Sequence, residues 1–273
     1  MNIIRVFPRL TNATPMDENV RINIPPSFFD QADEVHISVT FTYDMKRSEF
    51  LYNQWKEVTL TKIGGPAFNR PGKNFEPGMY LKKGYVITSR GCPNRCWFCS
   101  VPGREGNIRE LEIKEGYNVL DDNLLACSEG HIDKVFEMLK RQPKKPKFTG
   151  GLEARLMTFD IAKKLKDLKP DTMYFAYDTP DDLLHLIRAR EMLTEAGFKS
   201  IEKYHNIRCF VLVGFKNDTK DKALERIRET VKAGYFPMAM LWQDRNGKYE
   251  KSWRQFQRQW ANAIITACNI KKL

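Results

Sequence analysis

The stretch Tyr85-Val86-Ile87-Thr88-Ser89-Arg90-Gly91-Cys92-Pro93-Asn94-Arg95-Cys96-Trp97-Phe98-Cys99 carries an apolar run directly into three cysteines. Residues 85–88 read as a strand, being aromatic and β-branched. Gly91 and Pro93 suit a tight loop at the carboxyl end of that strand. The three thiols fall within eight residues, spaced C-x3-C-x2-C, and can converge on one metal centre.

Outward from this point the chain falls into a rhythm. Strand-like runs recur at 117–120, 147–149, 173–176, 208–213 and 237–241, with helical patterns between them. Ser128 is placed to cap a helix reaching Lys140, and Thr158 one reaching Leu168. Thr179-Pro180 offers a cap followed by proline at the first helical position, with Gly197 as the stop. Asp218 is expected to cap a helix that Gly234 ends, and a last helix is expected over 249–268. Alternation of this kind predicts parallel strands with helices outside them. Six units are too few for a closed eight-unit barrel, so the predicted fold is α/β, a partial (β/α)6 TIM-like barrel. Chemistry in such folds gathers at the carboxyl ends of the strands.

Toward the amino terminus, residues 66–84 hold Pro66, Pro71, Pro77, Gly72, Gly78 and Gly84, which interrupt regular structure. The domain boundary is placed there. Residues 1–83 are expected to form a small N-terminal α/β extension and linker, and residues 84–273 the core with its C-terminal helix. Within the extension, 35–40 and 58–63 read as strands flanking a helix over 46–56. Residues 1–30, with Pro8, Pro15, Pro25 and Pro26, read as loop.

Composition narrows the chemistry. Hydrophobic residues make up 42% and charged residues 29%, which excludes general disorder. No apolar run reaches the ~18 residues of a membrane span, so no membrane partner is expected. The first five residues show no secretory signal, and the expected location is cytoplasmic. Six cysteines are too few for a disulfide scaffold, so a cysteine cluster in a reducing compartment points to metal. Soft sulfur ligands select zinc, copper(I) or iron–sulfur clusters. Structural zinc takes four protein ligands, whereas the nearest further candidates are Cys127 and His131. Three cysteines on a 4Fe–4S cluster leave one iron open.

On this C-x3-C-x2-C, with an aromatic before its last cysteine, the segment from Gly84 to Trp242 resembles the radical S-adenosylmethionine (SAM) enzymes. The resemblance implies a 4Fe–4S cluster on Cys92, Cys96 and Cys99. It implies SAM on the open iron, reductive cleavage to a 5′-deoxyadenosyl radical, and hydrogen abstraction from a substrate. Phe98 matches the aromatic beside the adenine. The family's Gly-Gly-Glu-like segment falls on Asp121-Asp122-Asn123, which departs from it but keeps acceptors at Asp122 and Asn123; an ordinary turn is the other reading. Arg155 and Glu153 correspond to groups that would hold the SAM carboxylate and ammonium, or else form an exposed pair. Asp178 corresponds to a ribose-binding group or a helix cap, and Gly214 to a close approach of backbone to adenine or a simple turn. Trp242 would line the mouth or close the core. Cys127, near the expected mouth, is a candidate hydrogen-atom donor or a buried thiol.

The N-terminal unit looks like a shortened cobalamin-binding domain. It lacks the Asp-x-His-x-x-Gly segment that ligates cobalt, and His36 reads as a packed residue, so no cobalamin is expected. Lys+Arg 45 against Asp+Glu 34 gives a net charge of +11. That balance suits an acidic electron donor of flavodoxin or ferredoxin type, and nucleic acid is a second candidate partner. The densest basic stretch, 140–147, reads as a solvated loop on the face opposite the chemistry. Tyr249, Trp253, Phe256, Trp260, Ile264 and Cys268 read as one core-facing helical stripe, and Cys209 as a buried thiol. A rival from another class is a non-catalytic zinc or iron–sulfur module that binds nucleic acid.

Overall fold

The computed structural model describes residues 1–69, 74–199, 206–244 and 246–273. Pro71 and Gly72 of the expected boundary lie outside the described residues. The chain is mixed α/β, with two sheets whose strands all run parallel and a small antiparallel hairpin.

The first sheet is built from β1 (Ile3–Phe7), β2 (Val20–Ile22), β3 (Glu34–Ser38) and β4 (Thr61–Gly64), in the order β2-β1-β3-β4. Helix α1 (Met45–Trp55) crosses from β3 to β4. Alternate residues of β1 and β3 point inward, and Ile4, Val6, Val35 and Ile37 meet Leu51 and Trp55 from one face of α1. The Trp55 indole donates to the Ile24 carbonyl at 3.1 Å, so its buried nitrogen is satisfied. Residues 1–30 therefore contain two strands where loop was expected. The prolines flank β1 and β2 without entering them, so their ladders lose no donor.

The second sheet opens with β5 (Tyr85–Val86). The chain then leaves it as β6 (Ser89–Arg90), passes through the cysteine loop and α2 (Val101–Arg104), and returns as β7 (Arg109–Glu110), antiparallel to β6. There follow β8 (Asn118–Val119), α3 (Glu129–Lys140), β9 (Lys147–Phe148), α4 (Phe159–Leu168) and β10 (Thr172–Tyr177). After these come α5 (Asp182–Glu195), β11 (Ile207–Val213), α6 (Lys220–Lys232) and β12 (Phe236–Leu241), then α7 (Lys251–Ala261) and α8 (Ala263–Ile270). The strand order β12-β11-β10-β9-β8-β5 is sequential. One core joins β5 and β8–β10 to α3–α5, and a second joins β11 and β12 to α6 and α7.

Ser128 and Thr158 cap α3 and α4 as expected, accepting from the amides of His131 and Ile161. Gly197 and Gly234 stop α5 and α6 in the left-handed region. Three local expectations are corrected. Thr219, not Asp218, caps α6, because the Asp218 carboxylate is taken by the Gly214 amide and the Arg226 guanidinium, both at 2.8 Å. Thr179 does not cap α5; its amide and hydroxyl donate to Asp182 instead. The C-terminal helix is broken at Asn262, whose extended backbone (ψ 123°) and side-chain oxygen cap α8 through Ile264 and Ile265. The break turns the apolar stripe. Trp253, Phe256 and Trp260 are buried, whereas Ile264 is 77% exposed and Cys268 is also exposed.

No helix among the described residues is long and apolar enough to cross a membrane.

Candidate metal centre

The cysteine loop is closed at its base. Gly91 turns out of β6 with φ 89°, and a Cβ there would lie 2.2 Å from the Asn107 carbonyl oxygen, so only glycine fits. The Cys92 amide then donates to the Gly106 carbonyl at 3.1 Å. Within the loop, the Cys99 amide donates to the Cys96 carbonyl at 3.1 Å. Cys92 is half-buried, and Cys96 and Cys99 are exposed.

Asp121, Asp122 and Asn123, just past β8, hold this loop from below. The buried Asp121 carboxylate accepts from the Thr88 amide at 2.7 Å, the Thr88 hydroxyl at 2.5 Å and the Ser89 hydroxyl at 2.7 Å. Asp122 accepts from the Gly91 amide at 2.9 Å and lies 3.4 Å from the Arg104 guanidinium. The Asn123 amide nitrogen reaches Cys92 Sγ at 3.3 Å, while its side-chain oxygen is buried without a partner. Asp122 is thus engaged with the loop backbone, and Asn123 keeps one free acceptor.

The carboxyl ends of the next strands close the other side. The Asn94 amide donates to Glu153 at 2.7 Å, tying the middle of the loop to the segment after β9. Arg155 is half exposed and pairs with Asp182 at 2.8 Å, 4.0 Å from Glu153. Burial raises the Asp178 carboxyl to about 7, with the negative charges of Asp182 and Glu153 adding to it. Trp97 packs edge-on against Phe98 at 5.3 Å and against Phe215, after β11, at 5.5 Å. Gly214 has φ 77°, and a Cβ there would meet Leu241 and Trp253, which accounts for glycine by packing alone. Trp242 is half-buried, its amide donating to the Val213 carbonyl at 2.9 Å.

The fold therefore brings Cys92, Cys96, Cys99, Phe98, Asp122, Asn123, Glu153 and Asp178 to one mouth, with Arg155 at its rim. Cys127 is set apart. It is buried in the second sheet's core beside Ser89, and burial pushes its thiol up to about 11. Asn94, Arg104, Asp182 and Phe215 belong to the site although the sequence did not single them out. The partners that tie them to the site, Glu153, Asp122, Arg155 and Trp97 in turn, lie too far along the chain for spacing to reveal, 59 residues for Asn94 and Glu153.

Among the described residues, no three His, Cys, Asp or Glu side chains converge on a single-ion position. The cysteines of an iron–sulfur cluster each take a different iron, so a cluster does not require that convergence. The donor set fits such a group. Burial raises the Cys96 and Cys99 thiols, and the neighbouring thiols with Asp178, Glu153 and Asp122 raise them further. A cation that displaces the thiol protons relieves this repulsion. The Asn123 N–H at Cys92 Sγ is the kind of donor that stabilises a bound thiolate.

No family model matches the chain, and neither does any curated protein.

Proposed function

We propose that the chain is a radical SAM enzyme whose 4Fe–4S cluster is held by Cys92, Cys96 and Cys99. The observation that carries this reading is the closed C-x3-C-x2-C loop at the carboxyl end of β5, facing Glu153 and Asp178 from the following strands. The sequential parallel order of six strands supports a partial (β/α)6 barrel with an N-terminal α/β extension. Bound there, the cluster and SAM supply one-electron chemistry that ends in hydrogen-atom abstraction from a substrate.

The chain's own residues orient and exclude. Asp121 and Asp122 fix the loop's root, Asn123 orients the Cys92 sulfur, and Asn94 fixes the loop's middle to Glu153. Trp97 and Phe98 cover the loop's apolar side against Phe215. Glu153 presents a carboxylate to the ammonium of a SAM-like ligand, and Asp178 a polar group to its ribose. The exposed side of the loop, at Arg95 and Cys96, suits contact with an acidic flavodoxin- or ferredoxin-type donor in the cytoplasm.

Anaerobic reconstitution tests this reading. The protein is expected to hold about four irons per chain with matching sulfide, and the reduced form to release 5′-deoxyadenosine and methionine from SAM. Cys92→Ala, Cys96→Ala and Cys99→Ala each lose the iron, whereas Cys127→Ala, Cys209→Ala and Cys268→Ala keep it. Zinc in place of iron, with no SAM cleavage, would establish the binding-module alternative.

A further inference from the structure

Between the carboxyl end of the first sheet and the β6–β7 hairpin lies a cavity of about 560 Å³. That volume falls in the range of small-molecule sites, and the edge beyond strand carboxyl ends is where open parallel sheets bind ligands. Ile63 of β4, Phe75 and Leu81 of the connecting segment, and Ile87 and Leu111 beside the hairpin give it apolar walls.

Several polar groups on these walls are already engaged, and Ser38, Thr40, Asn74 and Glu76 line the cavity beside them. His36 Nδ1 is 2.6 Å from the Tyr80 hydroxyl, and its Nε2 lies 3.0 Å from Glu34 without a hydrogen bond between them. Lys62 also pairs with Glu34. Glu105 accepts from Arg104 at 3.0 Å and from Arg109 at 2.9 Å. Arg90 differs: its side chain is 20% exposed, and its only ion pair among the described residues is a loose one, Nη1 3.6 Å from Asp122. A guanidinium at the edge of apolar walls with donors to spare selects a carboxylate, which it can grip with two parallel hydrogen bonds.

Gly64, at the end of β4, shows that the space is not needed for packing. It lines the cavity, yet a Cβ placed on it meets nothing within 4 Å. Its neighbour Gly65 is different, with φ 113° and a Cβ that would strike the Val39 backbone at 2.6 Å. One glycine serves the backbone turn, and the other leaves room.

We propose that this cavity binds a small aromatic carboxylic acid, its carboxylate on Arg90 and its ring between Ile63, Phe75 and Leu111. Arg90 stands two residues before Cys92, so the bound acid lies beside the cysteine loop. Binding is read on metal-free protein, so it stands or fails separately from the radical SAM reading.

Calorimetric titration of the purified full-length chain with phenylpropanoate, indolepropanoate and naphthylacetate, each beside its neutral alcohol, tests this. At least one acid is expected to bind at a single site, roughly tenfold or more tighter than its alcohol. Arg90→Gln is expected to erase that preference. Gly64→Val and Gly64→Phe are expected to abolish binding while melting like the parent; Gly64→Val carries the test if the larger side chain prevents folding. Failure of all three acids to bind overturns the proposal. So does equal affinity for acid and alcohol, or undiminished binding in a folded Gly64 variant.

Discussion

Asp178 is the residue where the electrostatics of the mouth are most concentrated. Its carboxyl holds a proton up to about pH 7 in the folded protein, whereas its ordinary value is 3.8. Below pH 3.8 the folded and unfolded chains are both protonated here, and the group costs nothing. Between 3.8 and about 7 the unfolded chain has lost this proton while the folded chain keeps it, so stability falls across that window and levels off once the folded group ionises. Asn keeps an acceptor for the Leu212 amide without the charge. Asp178→Asn is therefore expected to match the parent near pH 4 and to exceed it by on the order of 2 kcal/mol at pH 8, allowing for partial solvent exposure. Denaturant unfolding at pH 4, 6 and 8 checks this, and a difference independent of pH would show that Asp178 is not the strained group. Asp121, next to Asp122 in the chain, serves differently, its buried oxygens all given to Thr88 and Ser89.

At the level of elements, α7 and α8 separate packing from mere pattern. Phe256 is 8% exposed in the β11–β12 core, and Ile264 is 77% exposed just beyond the Asn262 break. Phe256→Ala is expected to cost about 3–5 kcal/mol and Ile264→Ala under about 0.5 kcal/mol. Equal losses in chemical denaturation would restore one continuous helix. These elements also show what a sequence can reveal. The second sheet's strands were legible because each is a short apolar run between turn signals, and Ser128 and Thr158 announced their helices by side-chain capping. The strands β1 and β2 were hidden by prolines that border them. The Asn262 break was hidden because Trp260 and Ile264 keep helical spacing across it. The cysteine motif was read directly, but the hairpin that carries it was not, since β6 and β7 are two residues each and pair across an irregular loop. Asn94 with Glu153, and Asp122 with Gly91, are contacts that only the folded chain makes.

Across the whole molecule, the net charge of +11 includes a basic segment far from the cysteine loop. The basic segment before β9 lies at the amino ends of the parallel strands, whereas the cysteine loop lies beyond their carboxyl ends. Lys147 there pairs with Asp171 at 3.1 Å, and Lys144 lies over the Tyr117 ring at 5.1 Å. On the proposed radical SAM reading, reversing Lys144, Lys145 and Lys147 to Glu is expected to leave reduction by an acidic flavodoxin-type protein unchanged. Arg95→Glu, on the exposed side of the cysteine loop, is expected to slow that reduction at low ionic strength, and added salt to erase the difference. Stopped-flow reduction rates across a salt series decide this. A slowing by the lysine reversals would move the donor's landing face to the amino ends of the strands.

The tethering of the cysteine loop by Asp121, Asp122 and Asn123 also orders events as the chain is made. The loop's anchors lie about thirty residues downstream of the residues they hold, and Glu153 lies further still. During synthesis the three thiols emerge first, with nothing to fix their spacing. They remain an open, mobile set of soft ligands until β8 pairs with β5 and the aspartates arrive. On the radical SAM reading, metal captured in that interval would be held without the oxygen and amide groups that later surround it. On the proposed cluster-binding reading, loading after folding would place the metal among those groups, and the finished second sheet, rather than the cysteine motif alone, would decide what the site receives.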